Sequence, residues 1–195
     1  MLLSHYNIKN ILCVLITGIV IKTMDDYIDT NKSELINKIV KQHVGSGIIS
    51  YILLFFSLSC LLNKELSISL FLGAYMVGMF TDLRRPLFFK LNGFYESVII
   101  FTIGAYFLGI LMMLLSIIIM TFIQFFDDVI DREEDRYSGN KNFAIKYGTV
   151  EISLLAICLL LLSIKLSPSI STMSLVTFVV LQAVEKRIKR GKRNA

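Results

Sequence analysis

The sequence predicts an all-α, polytopic membrane helical bundle of about seven transmembrane helices, forming one domain over residues 1–195. Three observations predict it. Of the 195 residues 55% are hydrophobic and the mean hydropathy is +0.69, which excludes disorder and an ordinary soluble domain. Uncharged stretches run over 10–21, 42–63, 66–81, 97–126, 152–164 and 166–184, more apolar chain than one small soluble core can enclose. No internal repeat or linker interrupts them, and the chain holds only 2 Pro.

The first stretch, 10–21, is short for a membrane span. It reaches full length when its helix continues through Asp25, Asp26 and Asp29 into a polar cap. Because it ends in Lys22 and an acidic cluster instead of a small-residue cleavage site, it is expected to stay as the first helix and not to leave as a signal peptide. The second and third helices take 42–63 and 66–81. The stretch 97–126 forms either one overlong helix or two, about 91–110 and 111–130, joined by a tight turn near Gly109.

Charge decides between them. With two helices, one face collects Lys22, Lys32, Lys38, Lys41, Arg84, Arg85, Lys90, Arg132, Arg136, Lys141, Lys146 and six residues of the tail, 17 basic groups against Lys9, Lys64 and Lys165. With one helix the split is 8 against 12, so the excess of Lys and Arg expected in cytoplasmic loops selects two. The sixth and seventh helices cover 152–164 and 166–184, with Ser167 placed to cap a helix whose first turn holds Pro168. The protein is therefore expected to be a multi-pass protein of the cell membrane with its C-terminus in the cytoplasm.

The formal charge of +5 comes from 20 basic and 15 acidic residues. Six of the basic ones, Lys186, Arg187, Lys189, Arg190, Lys192 and Arg193, lie in a basic cytoplasmic tail over 185–195 that fixes topology and touches anionic lipid. No nucleic-acid partner is expected. Cys13, Cys60 and Cys158 fall in apolar runs without metal-ligand spacing and read as small buried hydrophobes. His5 and His43 are isolated and are read as incidental.

The acidic residues are more informative than the net charge. Nine of the 15 fall in two clusters, Asp25, Asp26 and Asp29 at the end of the first helix, and Asp127, Asp128, Asp131, Glu133, Glu134 and Asp135 at and beyond the end of the fifth. Both land on the cytoplasmic face. Four-residue spacing puts Asp25 and Asp29 on one helical ridge, and Asp127, Asp131 and Asp135 on another. Carboxylates crowded at a membrane boundary need protons or a cation. Mg²⁺ fits, since it takes oxygen ligands and is commonly held by one or two carboxylates together with substrate phosphates. That combination predicts a diphosphate ligand. Solvated helix ends are the plainer reading, but acids at helix C-termini oppose the local dipole. A proton or metal-ion pathway would place its acids near the midplane of broken helices.

The residues resemble a known family, the UbiA superfamily of intramembrane prenyltransferases, over nearly the whole chain. Its first motif reads Asn-x-x-x-Asp-x-x-x-Asp; Asp25-Asp26-Tyr27-Ile28-Asp29 is similar to its start, with Asp25 at the usual Asn and Ser33 at the third position. Asp131-Arg132-Glu133-Glu134-Asp135, followed by Gly139, Lys141 and 143–148, resembles the second motif. Arg84, Arg85 and Lys90 resemble the basic cytoplasmic loop between them. The resemblance implies Mg²⁺ held by Asp25, Asp26, Asp29, Asp127, Asp131 and Asp135, with Asp131, Asp135 and Lys90 acting in catalysis. It further implies that Arg84, Lys90, Lys141 and Tyr27 bind substrate, and that Tyr27, Phe125 and Phe126 face the developing cation.

The implied activity, part of isoprenoid biosynthesis, is Mg-dependent transfer of an isoprenyl group from an allylic isoprenyl diphosphate to a hydrophobic, aromatic or lipid acceptor within the bilayer. Two other readings stay open: a terpene cyclase on the same scaffold, and a non-catalytic membrane subunit that keeps the acidic pairs. An oligomeric assembly is compatible with each.

Overall fold

The computed structural model describes residues 7–32, 47–80, 93–139 and 141–193. Among them the secondary structure is helical throughout, without strands. The helices are α1 (Ile8–Lys32), α2 (Gly47–Leu62), α3 (Lys64–Phe80), α4 (Gly93–Leu108), α5 (Ile110–Ile130), α6 (Arg132–Ser138), α7 (Phe143–Tyr147), α8 (Thr149–Leu166) and α9 (Pro168–Arg193). Among the described residues three stretches, Ile110–Ile130, Thr149–Leu166 and Pro168–Arg187, are long and apolar enough to cross a membrane, and Gly47–Leu62 and Gly93–Leu108 are shorter apolar helices. The exposed surface supports the same reading. On α8 Ile152, Ala156 and Ser163 are buried while Leu154, Leu155, Ile157 and Leu161 face outward, an apolar outer face suited to lipid and not to water. Hydroxyls on these helices bond their own backbone one turn back, as in Thr121 to Ile117 O at 2.7 Å and Ser153 to Thr149 O at 2.7 Å, the local solution where water is scarce.

The chain divides into two compact units, one of Ser69–Leu175 and one of Tyr6–Ile68 with Val176–Ala195. In the second, a buried cluster of small polar side chains ties α1, α2 and the start of α3 together. Thr17 Oγ1 lies 2.6 Å from Ser59 Oγ, Cys13 Sγ lies 3.0 Å from Ser67 Oγ, and Ser59 Oγ donates to the Cys13 carbonyl at 3.0 Å. Asn63 closes the end of the cluster, donating to Asn10 Oδ1 at 3.0 Å while its own Oδ1 accepts the Leu66 N–H at 3.1 Å. Small residues permit this close helix contact. Gly18 makes the same point against α9, because a Cβ there would stand 2.7 Å from the Thr177 methyl. Lys22 on α1 forms an ion pair with Glu185 on α9 at 3.0 Å. The run expected to be a basic tail is helical, continuous with α9 as far as Arg193.

In the first unit, α4 and α5 form a hairpin around one residue. Gly109, with φ 90 and ψ 142, separates them, in a region of backbone space that side-chain-bearing residues rarely enter. The break falls where the charge count placed it. Across the hairpin Gly104 admits the Met113 side chain, whose Sδ would be 2.7 Å from an added Cβ, and Gly73 on α3 packs within 3.0 Å of the Ser116 backbone by the same measure. The start of α9 differs in detail from the expectation. Ser167 has extended backbone and its carbonyl accepts the Ser171 N–H at 3.1 Å, but its hydroxyl is buried without a partner and caps nothing.

Candidate diphosphate and metal site

The second acidic cluster begins inside α5 and continues past its end. The helix is uncharged through Phe126, with Ser116, Thr121 and Gln124 its polar residues, then carries Asp127 and Asp128 in its last turn. Asp131 follows with φ −97 and ψ 10, in the bridge region between helix and strand, and α6 starts directly after it. The bend is shallow enough for the backbone ladder to continue: the Asp131 N–H donates to Asp127 O and the Asp135 N–H to Asp131 O, each at 2.9 Å. Asp127, Asp131 and Asp135 thus stand on successive turns, as their spacing predicts, although two helices carry them.

Asp128, between them, does something else. It is 5% exposed. Its Oδ1 accepts from Gln124 Nε2 at 3.0 Å and its Oδ2 from the Phe143 backbone N–H at 2.7 Å. The carboxylate therefore pins the start of α7 against the end of α5. Asn142 supplies the second half of this latch. Its Oδ1 caps α7 by accepting the Ile145 N–H at 3.1 Å, and its Nδ2 donates both to the Asp128 carbonyl at 2.7 Å and to Asp135 Oδ2 at 2.8 Å. One buried amide thus meets a helix cap, a backbone carbonyl and an acidic side chain, holding Asp135 in a single orientation. Gly139, left-handed at φ 72, ends α6 and turns the chain back toward this latch.

Aromatic rings cover the same end. Phe125 meets Phe143 edge-on at 5.4 Å, Phe143 stacks on Tyr147 at 6.2 Å, and the Lys146 ammonium lies 4.8 Å over the Tyr147 ring. Phe126 instead packs against Phe122 at 5.8 Å. Glu133, Arg136 and Tyr137 line a surface recess of about 350 Å³ on α6.

Of the expected site residues, Asp127, Asp131 and Asp135 stand one turn apart in the first unit, and Lys141 is exposed in the loop beside the latch. Asp25, exposed, and Tyr27, half-buried, stand on α1 in the second unit. The side chains of Asp26 and Asp29, and all of Arg84, Arg85 and Lys90, lie outside the described residues. Gln124, Asn142 and Phe143 were not singled out by their sequence. Asn142 did carry a signal, an Asn immediately ahead of a short apolar helix.

Among the described residues no group of three or more His, Cys, Asp or Glu is gathered as a metal cage. The donor set is hard carboxylate oxygen, and Mg²⁺ commonly takes only one or two such ligands and completes its shell with water and substrate phosphates. No protein-family model, curated protein or solved structure matches the chain.

Proposed function

We propose that the protein is a Mg-dependent intramembrane prenyltransferase, binding an allylic isoprenyl diphosphate at the cytoplasmic end of a seven-span bundle. One observation carries the reading. Three carboxylates stand at one-turn intervals where a membrane-length apolar helix ends, and Asn142 holds Asp135 in place. A lipid-soluble tail with a diphosphate head has the complementary form, apolar along the helices and anionic at their end. The motif resemblance supports the same assignment.

When bound, Mg²⁺ would screen the carboxylates from the diphosphate and stabilise the leaving charge. One or two of Asp127, Asp131 and Asp135 would hold it together with the diphosphate, and Asn142 would keep Asp135 from turning away. Lys90, with Arg84 and Lys141, would hold the diphosphate oxygens as the allylic carbon–oxygen bond breaks with its electron pair leaving on oxygen. Phe125 and Phe143 present ring faces and edges beside that end, and an aromatic face favours a cation. The acceptor carbon then bonds to the allylic carbon and releases a proton.

The test is purified full-length protein in lipid with Mg²⁺ and geranyl, farnesyl or geranylgeranyl diphosphate, assayed for diphosphate release and prenylated product. Release is expected to need Mg²⁺, to stop with a chelator, and to fall by about 10² or more in Asp131→Ala, the scale on which loss of a preorganised charge-stabilising group acts. Absence of release with every donor overturns the enzyme reading in favour of a non-catalytic subunit. A cyclised hydrocarbon formed without acceptor replaces transfer by cyclisation.

A further inference from the structure

The recess on α6 takes no part in the chemistry proposed above. It holds about 350 Å³ and is lined by Glu133, Arg136 and Tyr137, all three of them exposed. Their spacing of three and four residues puts an anion, a cation and an aromatic ring on one face of a single helical turn. Glu133 and Arg136 are close enough in sequence to pair with each other. They do not, and no hydrogen bond or ion pair joins the side chains of these three to another described residue. The two opposite charges bound an open space instead.

The place of the recess along the chain matters as much as its lining. Only Asp131 separates α6 from the membrane-length stretch Ile110–Ile130, and the backbone ladder runs on across it. Glu133 to Tyr137 stand three to seven residues past Ile130, about 5–10 Å of helical rise. The headgroup layer on each side of a bilayer's hydrocarbon core is about 5–7 Å thick. With α5 spanning the membrane, the recess opens at the depth of lipid headgroups.

An ionised carboxylate only accepts hydrogen bonds and a guanidinium only donates them. A ligand that satisfies both carries an anionic oxygen for Arg136 and a cation for Glu133, and the Tyr137 ring offers that cation a face. The surrounding charge narrows the choice. Residues 131–137 hold two arginines against four carboxylates, a balance that repels a net-negative headgroup and admits one whose charges cancel. A primary ammonium brings N–H donors to Glu133, whereas a trimethylammonium has none and relies on a cage of aromatic rings.

We propose that the α6 recess binds the phosphoethanolamine headgroup of a membrane phospholipid, its phosphate on Arg136 and its ammonium between Glu133 and Tyr137. The site rests on α5 spanning the membrane and not on the diphosphate chemistry, so it stands if that chemistry fails.

Native mass spectrometry of the full-length protein released from nanodiscs tests this, with phosphatidylethanolamine, phosphatidylcholine and phosphatidylglycerol of identical acyl chains in equal parts. Phosphatidylethanolamine is expected to be retained in preference to the other two. Glu133→Gln and Arg136→Gln should each cut that preference by about fivefold, the scale of one exposed charged contact. Equal retention of the three lipids, or a preference that both variants keep, overturns the proposal. So does a preference for phosphatidylglycerol, which would assign the recess to anionic lipid. Soluble glycerophosphoethanolamine separates the two sources of this headgroup: retained from phosphatidylcholine nanodiscs as strongly as the lipid is, it would replace the lipid by a free metabolite. The chain holds no Trp, so Tyr137→Trp keeps an aromatic face and adds a readout that needs no charge variant to fold. Its emission should shift when phosphatidylethanolamine replaces phosphatidylcholine around the protein, and an unmoved spectrum overturns the proposal.

Discussion

Asn142 shows how much one side chain can do at a helix junction. Its carbonyl caps α7 while its amide reaches both α5 and Asp135, so Asn142→Ala removes a cap and strands a buried carbonyl. The expected loss is about 1–3 kcal/mol of stability, read as a lowered melting temperature in detergent. Asn142→Asp is more discriminating. It keeps the capping oxygen but sets a carboxylate against Asp135, so it should destabilise at least as much as alanine; equal stability to the native protein would show that the donation to Asp135 carries nothing. The carboxylate spacing of this cluster was legible in the sequence because helical periodicity alone places residues four apart on one face. The division of labour within it was not. Asp128 and Asp131 are the same residue type three positions apart, and only the fold of the downstream loop over α5 buries one and leaves the other half-exposed.

At the scale of helices, two of the breaks are set by glycines whose backbone no other residue adopts cheaply. Gly109 and Gly148 have almost the same conformation, φ 90 with ψ 142 and φ 108 with ψ 143, but different surroundings. Around Gly109 an added Cβ meets nothing within 4 Å, while at Gly148 it would collide with the Glu151 carboxylate, which folds back over the start of α8 where the helix dipole favours a negative charge. Gly109→Ala is therefore expected to cost about 1–3 kcal/mol from backbone strain alone. Gly148→Ala should cost more, and Gly148→Ala with Glu151→Ala should return part of that excess; thermal melting of the three variants checks the order. The Gly109 break could be read beforehand because membrane topology constrains charge on each side of it. The behaviour of Ser167 could not, since capping preference describes what a hydroxyl does when a helix end is open, and this one is buried.

For the molecule as a whole, the proposed topology puts α6 and the loop after it in the cytoplasm. Tyr137 is 91% exposed there, so Tyr137→Cys in a background without Cys13, Cys60 and Cys158 should react with a membrane-impermeant maleimide only after cells are permeabilised. Labelling of intact cells would invert the topology. Within the first unit the links between helices are unequal. Single residues, Gly109 and Ser167, join α4 to α5 and α8 to α9, whereas eighteen or so residues of short helices and turns lie between α5 and α8. An epitope or fluorescent tag spliced at Gly109 or Ser167 would have to pry two helices apart, while Gly139 is exposed and a Cβ added there meets nothing within 4 Å. Among the described residues of the first unit, the place where a handle can be attached is thus the stretch that carries Asp131 and Asp135.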